Sequence, residues 1–157
     1  FTCQNLQQES DIINSWISYM NEMVSVSSKP VKIYHWSHAE PVIMKKLALK
    51  FKNPKLLPNR FQWIDLLQIF KQEPIILKDV FGYGLKSVVK KLHQLGLIQT
   101  TWPQSEVMDG KNAMIYAWLY YTDKNNQPSD IMEQIEHYNF IDCQVLSEIT
   151  TFLRTKI

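Results

Sequence analysis

Residues Val31 to Pro41 read V-K-I-Y-H-W-S-H-A-E-P. The first four, Val31 to Tyr34, have the β-branched and aromatic composition of a short strand. A polar stretch, His35 to Glu40, follows. Pro41 then suits the first turn of a new helix, where its preset φ fits and its missing N–H is not needed. That helix runs to about Lys50, and a loop from Asn53-Pro54 to Pro58-Asn59 ends it. F-Q-W-I-D-L, Phe61 to Leu66, reads as another strand. Strand, turn, helix and strand again is the alternation of an α/β domain whose sheet is covered by helices.

The flanks extend the pattern. Upstream, Phe1 to Cys3 fits the tail of a strand. Ile12, Ile13, Trp16, Ile17, Met20, Met23 and Val24 then fall on one helical stripe, with cap-type residues at Glu9-Ser10-Asp11 and a break over Ser25 to Pro30. Downstream, Gly82 and Gly84 precede a helix with the core stripe Leu85, Val88, Val89, Leu92 and Leu95, and Gly96 is placed to end it. Leu97 to Trp102 reads as a short extended piece and Ala113 to Tyr121 as an aromatic helix. Lys124 to Ser129 is a polar turn. Ile131 to about Arg154 forms a last helical region, with a kink expected near Asn139. No internal repeat or low-complexity tract interrupts this order.

The 157 residues amount to one domain's worth of chain, able to bury a core without disulfides or metals. Five Trp, seven Tyr and seven Phe make it aromatic-rich and argue against disorder. The formal net charge of +2 neither demands nor excludes nucleic acid, since local clusters outweigh the sum. Two cysteines, Cys3 and Cys143, make no disulfide framework and point to a reduced, intracellular protein with inward-packed thiols. No apolar run is long enough to span a bilayer. The chain opens on Phe, and the expectation is a fragment of a longer polypeptide.

Three carboxylates stand where α/β sheets keep their sites, beyond the carboxyl ends of strands or close by. Glu40 follows the first strand, Asp65 lies at the end of the second, and Asp142 sits on the last helix. Tyr138 precedes Asp142 by four residues, so both leave one helix face. Carboxylates brought together repel one another and lose solvation, which hard divalent cations relieve. Two such ions about 3.5–4 Å apart serve in-line phosphodiester cleavage, and a tyrosine beside a ligating aspartate would place the attacking water. Each residue also has a plainer role. Asp65 would cap the turn after its strand, Glu40 would favour a helix N-terminus, and Tyr138 would lie at the core edge. His35 and His38 lack further ligands at zinc spacing.

Tyr138 to Asp142, Y-N-F-I-D, resembles the Y-x-x-x-D third motif of the tyrosine subgroup of DEDD 3′–5′ exonucleases, in the ribonuclease H-like superfamily. Y-H-W-S-H-A-E, Tyr34 to Glu40, resembles the second motif, with His35 for the usual Asn and Glu40 for the usual Asp. W-I-D-L-L-Q-I-F, G-L-K-S-V-V-K-K-L and D-G-K-N-A-M-I-Y-A-W are similar to intervening segments of a branch that accompanies RecB-type nuclease or helicase modules. The resemblance covers nearly the whole chain. It implies an α/β RNase H-like fold, a central mixed sheet flanked by helices, whose first strands lie outside this fragment. It implies Mg²⁺ or Mn²⁺ held by Glu40 and Asp142, with Tyr138 and Asp65 also catalytic. It implies a 3′–5′ exonuclease in the full-length parent, on single-stranded DNA or RNA, beside further nuclease or helicase domains. The family's first motif, D-x-E, has no counterpart here, so the fragment alone is expected to be inactive.

Lys45, Lys46, Lys50, Lys52 and Lys55 follow the Glu40 turn, and Lys86, Lys90 and Lys91 share the helix after Gly84. Lys86 and Lys90, with His35, are candidates for phosphate contact, and Trp36 for base stacking. Lysines at this spacing equally make a solvated helix face. A competing reading takes Leu85 to Thr100 as the recognition helix and first wing strand of a winged helix, a non-catalytic DNA-binding module. A third keeps the nuclease fold, degenerate, as a binding or scaffolding module.

Overall fold

The computed structural model describes residues 2–3, 5–56, 61–73, 75–103, 109–123, 128 and 130–156. They form two compact units, Phe1–Leu85 and Lys86–Ile157.

In the first unit a 3₁₀ turn, Leu6–Gln8, leads into helix α1, Glu9–Val26, followed by strand β1, Lys32–His35, and helix α2, Ala39–Lys50. A second 3₁₀ turn, Pro54–Leu56, precedes strand β2, Gln62–Asp65, and helix α3, Leu66–Gln72. β1 and β2 pair in parallel, Lys32 with Gln62 through His35 with Asp65. Parallel neighbours need a long crossover, which α2 and its flanking turns provide. Ile17 of α1, Ala48 of α2 and Leu56 form one buried cluster, with Ile13, Trp16, Met44 and Leu47 packed on it. Leu66 and Phe70 of α3 are also fully buried. Glu9 and Lys50 form an ion pair at 2.5 Å. Both side chains stay partly in water, so apolar burial rather than this pair holds the helices.

The second unit contains helix α4, which begins at the boundary and spans Leu85–Gln94, then α5, Gly110–Thr122, and α6, Ile131–Lys156. Val88, Val89 and Leu92 of α4 are completely buried. The helix closes as the sequence requires. Gly96 takes φ +67, its N–H donates to the His93 carbonyl at 2.9 Å, and the Leu97 N–H reaches back to the Leu92 carbonyl at 2.9 Å. These two bonds are a Schellman closure, which favours glycine because a Cβ is strained at positive φ. Asp109 caps α5, accepting from the Asn112 N–H at 2.8 Å. On α6, Ile131, Ile135, Tyr138, Ile141, Val145 and Ile149 are buried at steps of three and four residues. Ala113 of α5 joins Ile131, Met132, Ile135 and Tyr138 in one cluster.

The fold class is thus mixed α/β, mostly helical, with a two-stranded parallel sheet among the described residues. Several expectations need correction. Thr2 and Cys3 form no strand, and Leu97 to Trp102 pairs with none, so neither a third strand nor the first strand of a wing arises there. The strand expected to reach Leu66 stops at Asp65, and Leu66 begins α3. α6 runs through Asn139 as unbroken helix. Cys143 is exposed rather than inward-packed, because it falls between the buried positions Ile141 and Val145. Neither cysteine is in a disulfide. The polar turn at Lys124 to Ser129 lies almost wholly outside the described residues. No helix among the described residues is long and apolar enough to cross a membrane.

Candidate functional site

The first group of candidates lies at the carboxyl end of the parallel pair. His35 and Asp65 are register partners there, the position where α/β sheets carry functional groups. Asp65 Oδ1 accepts two backbone N–H groups, Leu67 at 3.0 Å and Ser37 at 2.9 Å. One carboxylate therefore caps α3 and ties down the turn after β1. Ser37 holds that turn with φ 74, in the left-handed region unusual for a side-chain-bearing residue. The His35 ring is buried, and its Nδ1–H donates to the Ser37 carbonyl. A carbonyl only accepts, so this contact fixes the proton on Nδ1 and leaves Nε2 as the lone-pair nitrogen of the neutral ring. Glu40, about half exposed, brings Oε2 to 3.9 Å from His35 Nδ1. Trp63 packs edge-on to His35 at 5.6 Å between ring centroids.

Trp36 is half-buried. Its indole N–H donates to the Tyr83 carbonyl at 3.0 Å and its ring lies 5.3 Å from that of Phe70. The residue expected to stack a base thus has its indole N–H bonded and its ring tilted against Phe70 within its own unit.

The second group lies in the other unit, on and around α6. Tyr138 precedes Asp142 by one turn of α6, and the Asp142 charge bears on its hydroxyl. Trp102 donates its indole N–H to Asp142 Oδ1 at 2.9 Å. Lys86 Nζ sits 5.3 Å from the centre of the Trp102 ring and 5.1 Å from that of Tyr138, a double cation–π contact. Burial, then the Asp142 and Asp109 charges and the hydrogen bond to Asp142, push the Tyr138 hydroxyl up to about 12. Such a phenol stays protonated at physiological pH and acts as a donor, not a base. Six residues beyond Asp142, Glu148 accepts from Gln99 N–H at 2.7 Å, Thr100 N–H at 3.0 Å and the Thr100 hydroxyl. Burial pushes the Glu148 carboxyl up, but the bonds from Thr100, Gln99 and Gln144 outweigh it and leave it below the ordinary value of 4.5.

The helix pattern foretold that Tyr138 and Asp142 share a face, and they do. The family model RNase_H_2, of the RNase_H superfamily, matches residues 1–154. The chain belongs to the RNase H superfamily. No curated protein and no solved structure matches the chain.

Membership in the RNase H superfamily brings a nuclease-like fold, and nucleases of this fold typically use divalent metals. The carboxylates of Glu40 and Asp142 are hard oxygen donors of the right kind for such ions. They belong to different units. Among the described residues no three His, Cys, Asp or Glu side chains come together as a metal group. The donor set thus fits in kind and is incomplete in number. Asp65 is committed to two backbone amides. Lys90 is exposed, whereas Lys86 is drawn onto two aromatic rings.

Sequence reasoning did not identify Trp102, Asp109 or Glu148. A half-buried indole needs an acceptor, which was a signal that Trp102 would have a partner. Nothing in the sequence says that this acceptor lies 40 residues away on α6.

Proposed function

We propose that this domain hydrolyses phosphodiester bonds of nucleic acid as a 3′–5′ exonuclease dependent on Mg²⁺ or Mn²⁺. Asp142 and Glu40 act as metal-ligating carboxylates and Tyr138 as the hydrogen-bond donor beside Asp142. The observation that carries this reading is the Tyr138–Asp142 pair, one helical turn apart on α6 with the Asp142 charge acting on the Tyr138 hydroxyl, in a chain of the RNase H superfamily. Bound divalent cation would supply Lewis-acid stabilisation of charge at the scissile phosphate. The chain's own contribution is to hold the carboxylates in place and to offer the neutral Tyr138 O–H. Exposed Lys90 favours binding of the single-stranded DNA or RNA backbone. Further ligands, and nuclease or helicase partners, would come from elsewhere in the natural polypeptide.

The test is digestion of end-labelled single strands by the natural polypeptide carrying this sequence, with Mg²⁺ or Mn²⁺ against EDTA. Stepwise shortening from the 3′ end that a 3′-terminal block stops, and that EDTA abolishes, is the expected result. Cleavage unaffected by EDTA, or proceeding from the 5′ end, refutes the assignment.

A second reading is a nuclease-fold module that binds nucleic acid without cutting it. The absence of a three-ligand group among the described residues favours it. Retention of labelled strands with no cleavage under either metal is its signature.

A further inference from the structure

We infer that the outer face of α2, continued through the 3₁₀ turn at Pro54–Leu56, is a docking track for the phosphate backbone of a single-stranded nucleic acid. The inference rests on the nucleic-acid ligand proposed above and needs no metal. Its first support is charge. Residues 41–64 hold five lysines, one arginine and no Asp or Glu. The chain has 17 basic and 15 acidic residues, so the rest of it has eleven basic against fifteen acidic. The net charge of +2 thus divides into +6 on this stretch and −4 elsewhere. A basic track on an otherwise acidic chain steers a polyanion to one place.

The fold turns these lysines outward. Met44, Leu47 and Ala48 belong to the apolar cluster that α2 makes with α1 and Leu56. At 3.6 residues per turn, Val42, Lys45, Lys46 and Leu49 fall on the opposite side of the helix, and all four are exposed. Lys52 and Lys55, past the helix end, are exposed as well. Lys50 pairs with Glu9, but none of the other four lysines makes an ion pair with a described residue. Their charge is therefore not cancelled locally. Val42 and Leu49 sit among the lysines. Unpaired bases can cover such apolar ground, whereas the backbone of a duplex leaves it wet. The lysines also interrupt the apolar residues of this face, so it lacks the continuous apolar band by which a helix lies in a membrane surface.

A second observation is the backbone at Lys52. The Lys52 N–H donates to the Leu49 carbonyl at 3.3 Å, the Asn53 N–H reaches back to the Ala48 carbonyl at 3.0 Å, and Lys52 takes φ 48. This is the closure that Gly96 makes for α4, with lysine in the left-handed position that glycine prefers. A side chain there costs stability. Packing does not require it, because Lys52 is exposed. Strain of this kind points to a use for the side chain. Here it carries the row of lysines past the end of α2.

Binding of a fluorescein-labelled single-stranded DNA oligonucleotide by the full chain, followed by anisotropy in EDTA over a series of salt concentrations, tests this. EDTA removes cleavage and metal from the readout. At about 0.1 M salt each phosphate contact to a single strand is worth about fivefold, and it adds about 0.7 to the slope of log affinity against log salt. Lys45→Gln with Lys46→Gln should therefore weaken binding about 25-fold and flatten that slope by about 1.4. Lys71→Gln with Lys78→Gln removes two exposed lysines of the same unit that have Glu73 and Asp79 close by in sequence, and it should stay within about twofold of wild type. Lys52→Gly should weaken binding about fivefold and raise the melting temperature by about 2–4 °C, a combination that damage to the fold cannot give.

Wild-type affinity and slope in Lys45→Gln with Lys46→Gln overturn the track and leave the nucleic-acid ligand standing. An equal loss in Lys71→Gln with Lys78→Gln overturns it too, since net charge alone then drives binding. No binding by the wild type at any salt concentration defeats the nucleic-acid ligand and the track with it. Capture by phosphatidylserine vesicles that Lys45→Gln with Lys46→Gln abolishes, with strand binding unchanged, overturns the track in favour of a membrane surface. Should that double variant fail to fold, Lys52→Gly decides, and wild-type affinity in it overturns the track.

Discussion

At the scale of single residues, the contrast between Asp65 and Asp142 is instructive. Both looked like site acids in the sequence. Asp65 accepts two backbone N–H groups through one oxygen, which is structural work. Asp65→Ala should therefore cost about 2–3 kcal/mol in chemical denaturation, a lost cap plus a lost charge-assisted bond. Asp65→Asn keeps the accepting oxygen and should retain most of that stability. If Asp65→Asn abolishes cleavage while preserving the fold, its role is chemical after all. Asp142 shapes its neighbour instead. The Tyr138 proton is held to about 12 against an ordinary 10.0. The folded chain thus keeps a proton that the unfolded chain releases. The Tyr138 contribution to stability should be constant below pH 10 and fall between pH 10 and 12, by on the order of 2 kcal/mol. In a 295 nm titration, the most alkaline tyrosine should shift to lower pH in Asp142→Asn. It should not return fully to 10.0, because burial is the larger cause.

At the scale of elements, much was legible because local rules and packing agree. The α4 stripe and its terminal glycine were readable: Val88, Val89 and Leu92 are buried and Gly96 closes the helix, whereas Leu95, placed on the same stripe, is exposed at the helix end. Gly96→Ala should cost about 1 kcal/mol by thermal or urea denaturation, since nothing crowds a Cβ there and only the positive φ is strained. A cost indistinguishable from zero would show that the α4 closure relaxes freely. α3 went unseen because Leu66 to Phe70, interrupted by Gln68 alone, continues the apolar composition of the strand. Only Asp65 marks the change of period, and a cap and a strand-end acid look alike in sequence. Leu97 to Trp102 had extended composition but pairs with no strand among the described residues. Its backbone donors at Gln99 and Thr100 find Glu148 instead. Because the Glu148 carboxyl is held below 4.5, this tether's stability is full above that pH and is lost as pH falls through the lowered value. Glu148→Gln should flatten that acid limb in a stability-against-pH series, whereas an unchanged limb would assign it to other carboxylates.

At the scale of the whole molecule, the order of elements was legible and the long-range partners were not. The parallel pairing of β1 with β2 suits a strand, a helix and a strand in sequence, and the family match over residues 1–154 agrees with the resemblance at the level of the RNase H-like superfamily. What spacing cannot encode is which indole finds which carboxylate, or which acids share an ion. The role of Asp142 in phosphodiester hydrolysis is the claim on which the rest depends. The most direct measurement is the initial rate of single-strand cleavage with saturating Mn²⁺ by the natural polypeptide and its Asp142→Asn form, both shown to be folded. Outer hydrogen-bond partners of a metal site are worth about 10–100-fold, so removing a ligand charge should lower the rate by about 100-fold or more. Equal rates from the two proteins would contradict the account.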